Sequence, residues 1–234
     1  MTTATSKAAA AHYRLNTSRY GSHMRLLEAL PMEGGGRRIL DVGCSGGYFA
    51  GLLAARGFEV TGIERADGHG GDIPRNVRLV EHDLEQGLPP LDGRFAFIIC
   101  ADVLEHLREP GALLRSLNSV LEPDGRIVAS LPNSGNLYFR LVVLSGRFPK
   151  HDRGLFDRTH VQFMVWNDWA GLFERAGYRI ESVRSTPLPF SLALPGLKPF
   201  AEAVEWMWIG FAKLWKRLFA YQFVITVVRN SEAR

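Results

Sequence analysis

Two groups of residues in the 234-residue sequence have the types and spacing to do chemistry. The first is GLFDRTHVQFM, Gly154 to Met164, where Asp157 stands three residues before His160. An imidazole suits proton transfer near neutral pH, and a carboxylate that orients and charges it raises its basicity. The pair is a candidate general base; an equally open reading makes Asp-x-x-His a hydrogen-bond clip that pins a loop. His106, beside Glu105 in VLEHL, is the other candidate base, although its place at a helix start favours a structural or cofactor-side role, and His12, His23, His69, His82 and His151 have no distinguishing context. The second group is RILDVGCSGGYFAGLLAARG, Arg38 to Gly57. Gly43, Gly46 and Gly47 let the backbone turn sharply against a ligand, and a helix starting near Tyr48 offers free N–H groups to an anion. Glu64 follows about 20 residues later, where an acid accepts hydrogen bonds from ribose hydroxyls.

These groups need a scaffold, and the apolar pattern supplies one. Strands are expected at Arg38–Val42, Phe58–Ile63, Val77–His82, Phe95–Cys100, Arg126–Leu131 and Tyr178–Val183, with a last strand at Phe223–Val228. Helical patterns alternate with them, which predicts an α/β fold with a parallel, doubly wound sheet. One helix carries Leu113, Leu114, Leu117, Val120 and Leu121 after Pro110, with Pro123–Gly125 as its stop. Another carries Trp169, Leu172, Phe173 and Ala176 between a cap at Asp168 and Gly177. Residues 132–165 and 184–221 are too long for ordinary connections, and such insertions at the ligand edge of a sheet build lids. The expected organisation is a helical or frayed segment over residues 1–30 and one domain over 31–234.

Composition narrows the classes. Hydrophobic residues at 46% and charged residues at 22% fit a globular chain. Lys+Arg 28 against Asp+Glu 24 leaves +4, dispersed without a patch, so no nucleic-acid partner is expected. Cys44 and Cys100 lie in or beside apolar runs and suit reduced thiols in a cytoplasm. The N-terminal residues lack the apolar core of a secretory signal, and no apolar run reaches the ~18 residues of a membrane span. No compact carboxylate and histidine set stands out, so no metal is expected.

The ligand of the turn is narrowed by what it lacks. A dinucleotide pyrophosphate needs G-x-G-x-x-G, and from Gly43 the chain reads G-x-S-x-x-Y. A ligand with a ribose but no phosphate asks less, and S-adenosylmethionine is such a ligand. EHDLEQ with Asp83, CADVLEHL from Cys100 to Leu107, and LEPDGRIVASLPN from Leu121 to Asn133 follow in order. With these motifs the sequence resembles the class I S-adenosylmethionine-dependent methyltransferases over roughly residues 38–183, in the branch of ubiquinone-type O-methyltransferases and polysaccharide-cluster methyltransferases. The resemblance implies a seven-stranded Rossmann-like sheet with an antiparallel last strand. It implies a cofactor set of Asp41, Gly43, Cys44, Ser45 and Gly47 at the methionine end, Glu64 on the ribose, Asp83 and Leu84 at the adenine, and Ala101. It also implies that Asp102 stands between cofactor and acceptor. Ser45 departs from the commonest glycine of that turn, and adds a hydroxyl for the cofactor or the helix cap.

The resemblance implies methyl transfer to a hydroxyl of a small molecule or glycan, and the Asn-Pro-Pro-aromatic motif of adenine and glutamine N-methylation is absent. An RNA or protein methyltransferase and a noncatalytic cofactor-binding scaffold are the rival readings. Residues 198–223 place Trp206, Trp208, Phe211, Trp215, Leu218 and Phe219 on an aromatic face, with Glu202, Glu205, Lys213, Lys216 and Arg217 sharing a side. That segment reads as lid packing, a homodimer surface, or a peripheral membrane contact.

Overall fold

The computed structural model of the protein describes residues 19–68, 73–152, 154–193 and 195–230. Seven strands, β1 (Arg38–Val42), β2 (Glu59–Glu64), β3 (Val77–Glu81), β4 (Phe95–Ala101), β5 (Leu121–Pro132), β6 (Tyr178–Ser185) and β7 (Gln222–Arg229), form one sheet in the order β3-β2-β1-β4-β5-β7-β6. Strands β1 to β5 pair in parallel, and β7 runs antiparallel to both β5 and β6. This is the Rossmann-like sheet with the antiparallel last strand that the resemblance implies. Chain order reverses between β1 and β4, which opens a crevice beyond the carboxyl ends of the strands.

The helices in chain order are α1 (Ser22–Glu28), α2 (Tyr48–Ala55), α3 (Pro110–Leu117), α4 (Leu137–Leu144), α5 (Trp166–Arg175), α6 (Phe190–Ala193), α7 (Lys198–Leu214) and α8 (Lys216–Phe219). Successive side chains of a strand point to opposite faces, so β4 sends Phe97 and Ile99 toward Leu26 of α1 and Leu53 of α2, and Ile98 and Cys100 toward Leu114 of α3 and Trp169 of α5. Both faces are thereby covered. Residues 1–18, including His12, and His69 lie outside the described residues. The rest of the expected N-terminal segment packs on the sheet through Leu26, Leu27 and Leu30 instead of standing apart from it.

Two local expectations are corrected. Helix α3 ends at Leu117, and Pro123–Gly125 lies inside β5, where the pairing with β4 jumps from Phe95–Leu121 to Phe97–Arg126. The turn residues therefore bulge a strand rather than stop a helix. Asp168 acts from the third position of α5: its Oδ2 accepts the Val165 N–H at 3.0 Å, and Gly177 with φ 88° ends the helix region.

The two long connections leave the same edge of the sheet and lock onto each other. Asn133 and Asn136 are fully buried, and both donate to the Ala220 carbonyl at 2.8 Å. The Tyr221 hydroxyl accepts the Leu155 N–H at 3.3 Å, and Phe139 stacks on Phe156 at 4.5 Å. Buried amides with full partners make this joint costly to open.

Candidate active site

The turn after β1 is a run of left-handed residues: Gly43 (φ 71°), Ser45 (φ 46°) and Gly47 (φ 71°). The N–H groups of Gly43 and Cys44 both donate to the Ile63 carbonyl, at 2.8 and 3.0 Å, which folds the turn back onto β2. A Cβ on Gly43 would lie 2.6 Å from Val103 Cγ2, so the backbone occupies space that a side chain cannot share. Ser45 meets the left-handed cost of about 1–2 kcal/mol by donating its N–H to Glu64 Oε2 at 2.7 Å. Helix α2 takes Gly47 as its N-cap without a side-chain cap bond, so the Ser45 hydroxyl does not cap it.

A cavity of about 510 Å³ lies over this turn, within the range of small-molecule sites. On the β2–β3 side Glu64 and Asp83 line it; Glu64 Oε1 also accepts the Arg65 N–H at 2.9 Å, and Asp83 Oδ1 accepts Glu85 N–H at 3.1 Å. Each oxygen keeps a further lone pair for a ligand. On the β4 side stands Asp102, left-handed at φ 54°, whose Oδ1 accepts from Ser130 Oγ and Gln222 Nε2, both at 2.8 Å. Gln222 begins β7, so the antiparallel strand fixes an acid that leaves β4.

Between the two sides, Asp41 is buried and its Oδ2 has no hydrogen-bond partner. Burial, then the neighbouring Glu64 carboxylate, pushes its carboxyl up to about 7. An orphaned acceptor under a glycine turn fits a ligand that carries its own ammonium group, as an amino-acid end does. The residues present therefore fit S-adenosylmethionine: Asp41 and the turn would hold the methionine end, Glu64 the ribose and Asp83 with Leu84 the adenine.

The histidines are arranged differently from the sequence expectation. His106 lines the cavity together with Thr159, whereas His160 is packed behind, 7% exposed and not among the lining residues. The two rings meet edge to face at 4.8 Å. Burial, then the adjacent His106, pushes the His160 imidazole down to about 4, against Asp157, Asp102 and the Leu155 carbonyl, and its Nδ1 lacks a well-formed hydrogen bond. Its Nε2 is 3.9 Å from Glu105 Oε1, so Glu105 partners His160 rather than His106. Burial, then Asp102, drives the Glu105 carboxyl well above its ordinary value. Asp157 accepts the hydroxyl of Thr159 at 2.6 Å and its N–H at 2.8 Å. Burial alone would raise Asp157, but these bonds and the two imidazoles hold it below the ordinary value.

Asp41, Gly43, Cys44, Ser45, Glu64, Asp83, Leu84, Ala101 and Asp102 thus converge on one cavity. Gly47 does not line it; a Cβ there would meet Pro74 and Ile73 at 2.8 and 2.9 Å, so its glycine is required by packing. His106, read from the sequence as structural or cofactor-side, lines the cavity, whereas sequence reading missed His23, Tyr48, His82 and Thr159 as lining residues. Thr159 carried a signal, since an acid two residues before a hydroxyl invites an Asx turn; His23 carried none, because nothing local to α1 says which strands it crosses. Glu105, His106 and His160 bring one ligand-capable atom each within 4.8 Å of one another, where the sequence suggested no such set. A divalent cation there would need Glu105 ionised, which its burial opposes.

The glycine turn at the strand-order reversal, with acids ending the flanking strands, stands on the Rossmann-like sheet of a methyltransferase fold. The chain belongs to the methyltransferase domain family, whose model matches residues 14–183. It is 28% identical over 162 residues to a ubiquinone biosynthesis O-methyltransferase of Chromobacterium violaceum, covering 63% of this chain and 67% of that one. A protein of the same name from Pseudomonas aeruginosa is 27% identical over 157 residues, covering 58% and 65%. The chain thus spans about two thirds of the length of these curated relatives. Among solved structures, an S-adenosylmethionine-dependent methyltransferase from Mesorhizobium loti superposes with TM-score 0.61 at 17% identity, covering 89% of this chain and 99% of that one. One from Archaeoglobus fulgidus gives 0.59 at 21%, covering 90% and 94%. The protein is an S-adenosylmethionine-dependent methyltransferase.

Proposed function

We propose that the protein methylates a hydroxyl oxygen on a small molecule or a glycan, with His106 as the general base. The observation that carries this reading is the imidazole of His106 in the cavity wall that Asp102 also lines, joined to the lid through Thr159. The relatives' name, which specifies an O-methyltransferase, supports the same choice of atom. His82 belongs to the adenine side with Asp83, and His23 packs against Phe49 at 5.5 Å, where burial lowers its imidazole against the pull of Asp102.

The cofactor supplies an electrophilic methyl group on a cationic sulfur, which ends as a neutral thioether. The chain must align the acceptor oxygen with that group and take its proton as the new C–O bond forms. His106 receives that proton at the nitrogen not bound to Thr159, a contribution worth about 10²–10⁴-fold. Asp102, fixed by Ser130 and Gln222, accepts a hydrogen bond from the acceptor or the cofactor end. His160 and Glu105 back the His106 ring as a buried support, in place of the expected role of His160 as the base itself.

The test is transfer of a tritiated methyl group from S-adenosylmethionine to fractionated extract of the source organism and to defined phenols and glycans. Label in methyl ethers and a loss of about a hundredfold or more in His106→Ala support the reading. Label on nitrogen, or full turnover in His106→Ala, rejects it.

Peripheral membrane contact through α7 and α8 is a second reading with its own observation. Ala201, Glu205, Ile209 and Ala212 face inward, with Glu205 fully buried and accepting the Ser191 N–H at 2.7 Å, so the acids and cations do not share one side. The outward face carries Phe200, Trp206, Met207, Phe211, Leu214 and Trp215, with Trp206 70% exposed, bordered by exposed Lys213 and Arg217. Among the described residues no helix is long and apolar enough to cross a membrane. An aromatic face with cations at its border suits an anionic headgroup layer. Flotation with anionic vesicles checks this, and recovery of all protein in the lipid-free fraction rejects it; a dimer through the same face would appear in sedimentation velocity.

A further inference from the structure

The donors and acceptors around His106 decide which of its nitrogens carries the proton. The Thr159 hydroxyl has a single proton, and at 2.6 Å from Asp157 Oδ1 that proton is committed to the carboxylate. Asp157 also accepts the Thr159 N–H at 2.8 Å. An ionised carboxylate has no proton to return, so the hydroxyl cannot turn around. Toward Nδ1 of His106 the hydroxyl oxygen, 3.1 Å away, and the Thr159 carbonyl, 3.2 Å away, therefore present lone pairs only. Two acceptors against one ring nitrogen require an N–H between them, since a bare nitrogen there would face two other lone pairs.

We infer that Asp157, acting through Thr159, is a positioning residue that holds neutral His106 as the Nδ1–H tautomer and so reserves the Nε2 lone pair for the acceptor's proton. The inference rests on His106 as the base proposed above and deepens it. Asp157 acts toward His106 through a hydroxyl, in addition to the charge it presents to His160. The chain distance matters: residues 157–159 come from the connection after β5, and His106 from the turn after β4. The lid thus fixes the tautomer only when it is seated.

The test reads the tautomer directly. Nitrogen-15 imidazole spectra of the full, chelator-treated chain at alkaline pH, assigned by His106→Gln, should show protonated Nδ1 and bare Nε2. Asp157→Ala removes the acceptor that commits the Thr159 hydroxyl proton, which is then free to turn to Nδ1. The spectrum should move toward Nε2–H, and turnover should fall by at least about tenfold, as expected for a base held in the wrong tautomer. Thr159→Val keeps the carbonyl and removes the hydroxyl, so it should retain the Nδ1–H form. Adding Thr159→Val to Asp157→Ala removes the misdirected donor and should restore both the tautomer and the turnover to those of Thr159→Val alone. A wild-type Nε2–H spectrum overturns the inference even if no variant folds, and so does a double variant as impaired as Asp157→Ala. Full turnover in His106→Ala defeats the base assignment instead, while leaving the spectrum as a separate result.

Discussion

Replacing Asp41 by Asn should make the protein more stable and blind to its cofactor. Asp41 is fully buried beneath the glycine turn, with one oxygen unpartnered, and burial with Glu64 raises its carboxyl from 3.8 to about 7. Because the folded protein holds this proton more tightly than the unfolded chain, the contribution to stability is complete below pH 3.8 and is lost as pH rises through 7. At roughly 1.4 kcal/mol per pH unit, the carboxylate at pH 8 costs about 4 kcal/mol relative to its protonated form. Asparagine carries no charge but leaves an amide with few partners, a penalty of about 1–3 kcal/mol. The variant should therefore gain about 1–3 kcal/mol at pH 8, or roughly 2–4 °C in Tm per kcal/mol, and should gain nothing at pH 5, where the wild type is already protonated. Urea melts of both proteins from pH 5 to 8 isolate this group, because Glu105 and the other buried acids are common to both. In calorimetry, S-adenosylhomocysteine should bind the variant at least about tenfold more weakly, the loss of a charge-assisted bond to its ammonium. A difference in stability that does not change with pH, or unchanged affinity, refutes the reasoning.

Gly43→Val sets a side chain at a φ of 71° against Val103 Cγ2 at 2.6 Å, and should abolish cofactor binding in calorimetry while lowering stability by about 2 kcal/mol or more. Glu64→Ala removes the acceptor of the Ser45 and Arg65 N–H groups together with the expected ribose contact, so affinity should fall by at least about tenfold; equal affinity would contradict the site. Ser45→Gly relieves a left-handed serine and should raise stability by up to about 1 kcal/mol in denaturant melts, with binding retained. His160→Ala should cost about 1–3 kcal/mol of stability through the void behind His106 but leave the acid limb of the pH–rate profile in place. Loss of that limb would return the base to His160.

The strands were legible because their signals are local. Arg38–Val42 is found at its expected limits, and the other strands within two residues except β5, which starts five residues earlier than expected; apolar β-branched runs between turn residues have few alternatives. The fault at Pro123–Gly125 shows the limit: the same three residues stop a helix or bulge a strand, and only the pairing of β5 with β4 selects between them. Glu205 reads as surface because a helical wheel has no outside until something covers one side, and Ser191 covers that one.

The sequence alone determined the alternation of strands and helices, the glycine turn and Glu64, because each follows from local periodicity, backbone freedom or residue spacing, and the resemblance of its motifs pointed to Asp41, Asp83 and Asp102. Tertiary structure alone decided which histidine meets the cavity and which is buried behind it. His106 and His160 stand on segments that approach only when the connection after β5 folds back, and Val161 and Gln162 pin it there by donating to the Glu105 carbonyl at 2.9 and 3.0 Å. A proton's position depends on every donor and acceptor within reach, and those neighbours are distant in the chain.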